Sequence, residues 1–155
     1  MAASHGVVRR LAAAGLELPV RPAPLGDYVP AVRVGCFVFT SGQLPMKSGA
    51  LLATGTVGAE VDADMACECA AQCALNALAA ASTVCDLDKV RRVVKVTGFV
   101  ASATGFTAQP GVVNGASAVM GTAFGAAGRH ARAAVGVASL PLGAPVEVEI
   151  VLELA

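Results

Sequence analysis

The clearest alternation of apolar and polar residues comes near the end of the chain. Across 146–153, Val146, Val148, Ile150 and Leu152 fall on one side and Glu147, Glu149 and Glu153 on the other, the period of a half-buried strand. His130 to Val137, rich in small and β-branched residues, predicts a partner strand, and Leu140-Pro141 with Gly143 predicts a turn between the two. Val90 to Ala101 is the longest strand expected. Ala31–Val34 and Phe37–Thr40 predict a hairpin around Gly35, Lys47-Ser48-Gly49 a turn, and Leu51-Leu52 the start of another short strand.

Helical spacing appears elsewhere. Asp62 to Ser82 predicts the best helix, with Asp62 as N-cap and Asp64 and Glu68 near its positive end. Ala66, Ala70, Cys73, Ala77 and Ala81 recur on one side, a small-residue face that can pack closely on a sheet. Val7 to Leu16 predicts a short helix ended by Gly15, after which Pro19, Pro22 and Pro24 force an extended arm. Asp86-Leu87-Asp88 reads as a connection and Gly105–Pro110 as a loop. A second main helix is expected from Asn114 to Phe124, interrupted by Gly115 and Gly121 and ended by Gly125–Gly128. The order points to an α+β domain with helices layered on one face of a sheet.

At 155 residues the chain is one domain by size. Its 11 basic and 11 acidic residues cancel, which argues against a dedicated nucleic-acid binder. Hydrophobic residues make up 55% and charged residues 14%, so part of the surface is expected to be covered in an oligomer, although much of the excess is alanine. The most apolar stretch, Ala70 to Cys85, carries Gln72 and Asn76 and makes a poor membrane span. The run after Arg9-Arg10 is too weak for a signal peptide. The cysteines number five, and Cys67, Cys69 and Cys73 crowd one predicted helix, so reduced thiols and a cytoplasmic location are expected.

Candidate chemistry centres on Arg132 and Glu147, one on each closing strand. A guanidinium fork fits a carboxylate bidentately, and a nearby carboxylate can move protons. Together they suggest a site for a carboxylate-bearing small molecule. The plain alternatives are a structural ion pair for Arg132 and a solvated strand face for Glu147, and spacing does not decide between them. Thr40-Ser41-Gly42-Gln43-Leu44-Pro45 reads first as a strand-ending turn whose serine satisfies nearby backbone. The cysteines read as small buried hydrophobes rather than metal ligands. Gly121, Gly125 and Gly128 end a helix and lack a phosphate-loop context. Lys89, Arg91, Arg92 and Lys95 read as a solvated edge. His5 falls in a tail, and His130, close to Arg132, reads as entering its strand from a loop rather than as lining the site.

Gly26-Asp27-Tyr28, the Thr40–Pro45 block, Asn76, Phe99-Val100, Val113-Asn114, Ala131-Arg132, Leu140-Pro141 and 146–149 together resemble the RidA/YjgF family of enamine/imine deaminases, also known as L-PSP endoribonucleases. The resemblance covers about residues 23–153. It implies a chorismate-mutase-like α+β fold, a mixed sheet with two main helices on one face, assembled as a homotrimer with clefts between subunits. The domain would span 23–155, with 1–22 an N-terminal extension. The resemblance further implies that Arg132 grips a substrate carboxylate and Glu147 positions or activates water, with Tyr28, Ser41 and Asn114 lining the cleft. Ala134 replaces a cysteine common in the family and would contribute backbone groups alone. The implied reaction converts a 2-imino acid, formed from an enamine such as 2-aminoacrylate, to a 2-keto acid and ammonia without cofactor or metal. Differing outcomes would be a non-catalytic trimer binding small carboxylates or an endoribonuclease acting on single-stranded RNA. The chain departs from the family pattern in its N-terminal extension, a longer loop at 106–114 and a longer stretch from Asn114 to Phe124.

Overall fold

A computed structural model describes residues 6–20 and 26–155. His5, Pro22 and Pro24 lie outside the described residues. Strands β1 (Ala31–Val34), β2 (Phe37–Thr40), β5 (Val90–Ala101), β6 (Ala131–Val137) and β7 (Val146–Leu154) form one sheet in the order β1-β2-β7-β5-β6. Short strands β3 (Met46–Lys47) and β4 (Ala50–Leu51) form a separate hairpin across Ser48 and Gly49. Among these strands only β5 and β6 run parallel, and the helix between them makes the crossover that a parallel pair requires. Helices α2 (Ala63–Ala81) and α3 (Gln109–Phe124) pack on the sheet and on each other. The expected α+β architecture is what the chain adopts.

The alternation in β7 does what its pattern dictates. Val146, Val148, Ile150, Leu152 and Leu154 are buried, and the residues between them are partly exposed. Val93, Val96 and Val100 of β5 join that buried layer, and α2 covers it with Ala70, Cys73, Ala77 and Ala81. Asp62 caps α2, accepting a hydrogen bond from the Met65 amide at 2.8 Å. Burial pushes the Cys69 thiol up to about 11, with Glu68 adding to the effect, and raises Cys73 well above its ordinary value. These thiols are packing groups, as expected of buried free cysteine. Among the described residues no group of three or more His, Cys, Asp or Glu could hold a metal ion, and no helix is long and apolar enough to cross a membrane.

Helix α3 starts at Gln109 rather than Asn114, so most of the longer loop expected at 106–114 is helix. Pro110 lies in its first turn, where a missing N–H costs nothing because no intrahelical partner awaits it. The glycines that weaken α3 on paper divide by role. A Cβ at Gly115 would run into the backbone carbonyl of Cys67 on α2, so glycine permits the close approach of the two helices. A Cβ at Gly121 would meet nothing within 4 Å.

Helix α1 (Val7–Ala13) buries Val7 and Leu11, one turn apart. The Asp88 carboxylate accepts from the Val7 amide at 2.7 Å, and Arg10 Nε donates to the Ala123 carbonyl at 2.7 Å, tying α1 to the last turn of α3. Gly15, at φ 73°, ends α1 in a Schellman turn, with Leu16 N donating to Leu11 O and Gly15 N to Ala12 O. That turn fixes where residues 16–20 go.

The two glycines give opposite expectations. Gly115→Ala should lower stability by about 1–3 kcal/mol through overpacking, despite alanine's better helix propensity. Gly121→Ala should raise stability by up to about 1 kcal/mol. Urea-unfolding midpoints of both variants beside wild type would check this, and similar shifts for the two would contradict the packing account.

Candidate functional site

Strand β2 pairs regularly with β7 from Phe37↔Glu153 to Phe39↔Val151, and pairing resumes at Gln43↔Val148. Between those points the β2 side uses four steps and the β7 side three, which is a bulge. The Ile150 amide, which would otherwise lose its partner there, donates to the Thr40 hydroxyl at 3.0 Å. The extra residue carries Ser41 and Gly42 out of the ladder. Ser41 donates its hydroxyl to the Val29 carbonyl at 2.7 Å, the local backbone role expected of a strand-ending serine. Beyond the bulge, Asn76 of α2 donates to the Leu44 and Met46 carbonyls at 2.8 and 2.9 Å and accepts from Gln72 at 3.1 Å. The Thr40–Pro45 block is thus held from the sheet on one side and the helix on the other.

Glu147 meets this block. Its side chain lies so close over Gly42 that a Cβ there would collide with the carboxylate. Burial raises the carboxyl above the ordinary glutamate range, and the neighbouring charge of Glu149 adds to this. Glu147, Gly42, Gln43 and Tyr28 border a cavity of about 890 Å³, which Leu16, Glu17, Pro19, Val20 and residues of α2 also line.

Arg132 sits elsewhere. Its Nη1 donates to Asn114 Oδ1 at 2.8 Å and to Ser117 Oγ at 3.2 Å, and its Nη2 donates to the Pro110 carbonyl at 3.3 Å. A guanidinium has five N–H donors, so these bonds among the described residues leave two for a ligand. His130 Nδ1 lies 2.6 Å from the Gly128 carbonyl, which requires a hydrogen on that nitrogen. In the neutral ring Nε2 then accepts from the Ser117 hydroxyl, 2.9 Å away, leaving the Ser117 oxygen to accept from Arg132. Ser117 was not singled out from the sequence, although it lies three residues after Asn114, on the same helix face. Ala134 pairs with Gly98 and packs against the core.

The expected site residues therefore fall into two groups. Arg132 and Asn114 come together at α3, while Glu147 and Tyr28 share the cavity, with Ser41 in the block beside it. Arg132 pairs with Val96, Val96 pairs with Ile150, and Glu147 lies three residues farther along β7. Strand spacing and rise put the Arg132 and Glu147 Cα atoms roughly 14 Å apart. They also point apart: Arg132 reaches α3 on the covered face, while Glu147 alternates with the buried Val146 and Val148.

Residues 8–154 match the family described as "YjgF/chorismate_mutase-like, putative endoribonuclease". Protein TCP17 of Trypanosoma cruzi is 43% identical over 154 residues, covering 98% of this chain and 96% of that protein. The crystal structure of Atu1372 from Agrobacterium tumefaciens, a protein of unknown function, superposes with a TM-score of 0.88 at 46% identity, covering 96% of this chain and 92% of the other. The YjgF gene product of Escherichia coli gives a TM-score of 0.61 at 30% identity, covering 85% of this chain and 91% of the other. The fold, the length of the matches and their identity together make this chain a member of the YjgF/chorismate mutase-like family.

Proposed function

We propose that the protein hydrolyses 2-imino acids to 2-keto acids and ammonia, in clefts that form between copies of a homotrimer. The observation that carries this reading is the held fork of Arg132: Asn114, Ser117 and the Pro110 carbonyl fix its plane and leave two donors for a carboxylate. A ligand so held lies out of reach of Glu147 in the same chain, so the Glu147 that serves it belongs to a second copy. The uncovered sheet face supports assembly, because it exposes Val32, Val34, Phe37, Phe39 and Val135. Exposed apolar area of this kind is normally covered by a partner.

In the reaction, Arg132 holds the carboxylate and so fixes the imine carbon in position. Water adds to that carbon, the C–O bond forms, and Glu147 takes the proton that the water releases. Glu147 returns this proton to the nitrogen. The C–N bond then breaks as Glu147 takes the remaining hydroxyl proton and passes it to the departing nitrogen, so ammonia leaves and the ketone forms. One imine and one water become one keto acid and one ammonia. The chain's own groups supply every proton transfer in this scheme.

The test is keto-acid release from imines generated in place by an amino-acid oxidase. Wild type should accelerate release, and Arg132→Ala should lower kcat/KM by about 10²-fold or more. An unchanged rate in that variant would remove the mechanism. Cleavage of single-stranded RNA that persists in Arg132→Ala and Glu147→Gln, with no imine hydrolysis in wild type, would favour nuclease activity instead.

The environment of Glu147 predicts the pH profile. The carboxylate form accepts the proton, so the rate should rise with pH through a midpoint above the ordinary glutamate value of about 4.3. Glu149→Gln removes a neighbouring negative charge and should move that midpoint down. Glu147→Gln should abolish the limb. A midpoint insensitive to Glu149 would show that a different group titrates.

Gly42→Ala should displace the Glu147 carboxylate and lower kcat by about tenfold or more, with little change in the denaturation midpoint. Full activity in this variant would mean that the contact with Gly42 does not set the carboxylate's position.

A further inference from the structure

Among the described residues, only Ser48 at φ 52° and Leu142 at φ 60° have positive φ without being glycine. Both line the cavity beside Glu147. Ser48 is explained by its place with Gly49 in the two-residue turn of the β3–β4 hairpin, where positive φ at both positions matches the twist of the strands. Leu142 takes the same first central position of such a turn, with Gly143 at the second, but no strand pairing across the turn calls for that twist. It precedes Gly143 in a tight turn in which the Ala144 amide donates to the Pro141 carbonyl at 3.1 Å. Asparagine, aspartate or glycine would adopt that backbone more readily, and a bulky side chain there is a genuine outlier. Its side chain does not repay the strain by burial, since Leu142 is 65% exposed. A strained, exposed leucine at the edge of a cavity is the kind of feature a ligand contact accounts for.

The cavity itself is large for the smallest substrates. Pockets of about 300–1,000 Å³ take drug-sized ligands, and this one measures about 890 Å³. A three- or four-carbon imino acid would fill a small part of it. Leu16, Val20, Leu44, Met46, Leu75 and Leu142 make up much of its lining. Its buried polar residues look to each other: Gln72 donates to Asn76, and Asn76 donates to the Leu44 and Met46 carbonyls. The charged Glu17 and Lys47, opposite in sign, are exposed and stand at its edge. Such a lining offers apolar contact, with Glu147 at one side.

We propose that this cavity is a side-chain pocket that selects 2-imino acids with large apolar side chains, the size of those of leucine, methionine or phenylalanine, and that Leu142 is a specificity-determining residue at its mouth. The proposal rests on the reading of Glu147 as part of the reaction site and adds the substrate class. The wall formed by Leu16 and Val20 exists because the Schellman turn at Gly15 sends the chain past the cavity, so the N-terminal segment takes part in the selection.

The experiment compares imines generated by amino-acid oxidase from alanine, 2-aminobutyrate, leucine and phenylalanine, using wild type and Leu142→Gly. A parallel measurement reads the rise in Tm caused by pyruvate and by phenylpyruvate in both proteins. Wild type should favour the larger imines by about tenfold or more in kcat/KM. Leu142→Gly should raise the Tm of the free protein, because glycine relieves the strain, and should shrink that preference toward unity. A leucine kept for the fold alone would change Tm and leave the ratio where it was. Equal rates for all four imines, or a preference untouched in Leu142→Gly, would overturn the pocket while leaving imine hydrolysis in place. Absence of any hydrolysis, with phenylpyruvate raising Tm more than pyruvate in wild type but not in the variant, would support the pocket and remove the proposed reaction. Absence of both would remove both.

Discussion

Strand β7 is gripped on both edges and covered on one face, and much else in the molecule follows from that. Ladders to β2 and β5 fix its backbone, so its side chains cannot change sides without breaking two sets of hydrogen bonds. The buried row, Val146 through Leu154, anchors both main helices' side of the sheet. The other row inherits its direction from that anchoring. Glu147 is therefore placed by the hydrophobic packing of its neighbours, and the β2 bulge then brings Gly42 beneath it.

The parts of the fold with a single dominant period were legible. The spans of β1, β2 and β5 follow directly from their patterns, and α2 begins at the capping aspartate that its sequence announces. The start of α3 was hidden because Gln-Pro-Gly reads as a turn. Proline in a first turn and glycine in a helix interior both look like breakers until the neighbouring helix shows why Gly115 must lack a side chain. The missed turn also concealed the Pro110 carbonyl as a partner of Arg132.

The residues of the candidate site were named from the sequence, and their arrangement was not. Arg132 and Glu147 were named as the notable charges of the two closing strands, and Tyr28, Ser41 and Asn114 through family resemblance. Their division into two groups on one chain depends on sheet order, which no local pattern encodes. The role of Thr40 was equally invisible, because its hydroxyl stands in for a backbone group at a register shift. Ser117 and His130 lay within reach of simple reasoning, one helix turn from Asn114 and two residues from Arg132. Ser117 went unnamed because nothing in its local pattern marks it, whereas His130 was read as entering its strand from a loop.

Helix α3 is held at both ends. At its start the Pro110 carbonyl receives Arg132, and near its end the Ala123 carbonyl receives Arg10 of the segment that leads to the cavity wall. Its 16 residues make a rod roughly 24 Å long. Under the proposed reading, a rod anchored at both ends places the cavity wall and the Arg132 guanidinium mechanically in series. In a ring of such chains, each carboxylate-binding end would feel how full its own chain's cavity is, and filling one cleft would be communicated to the next.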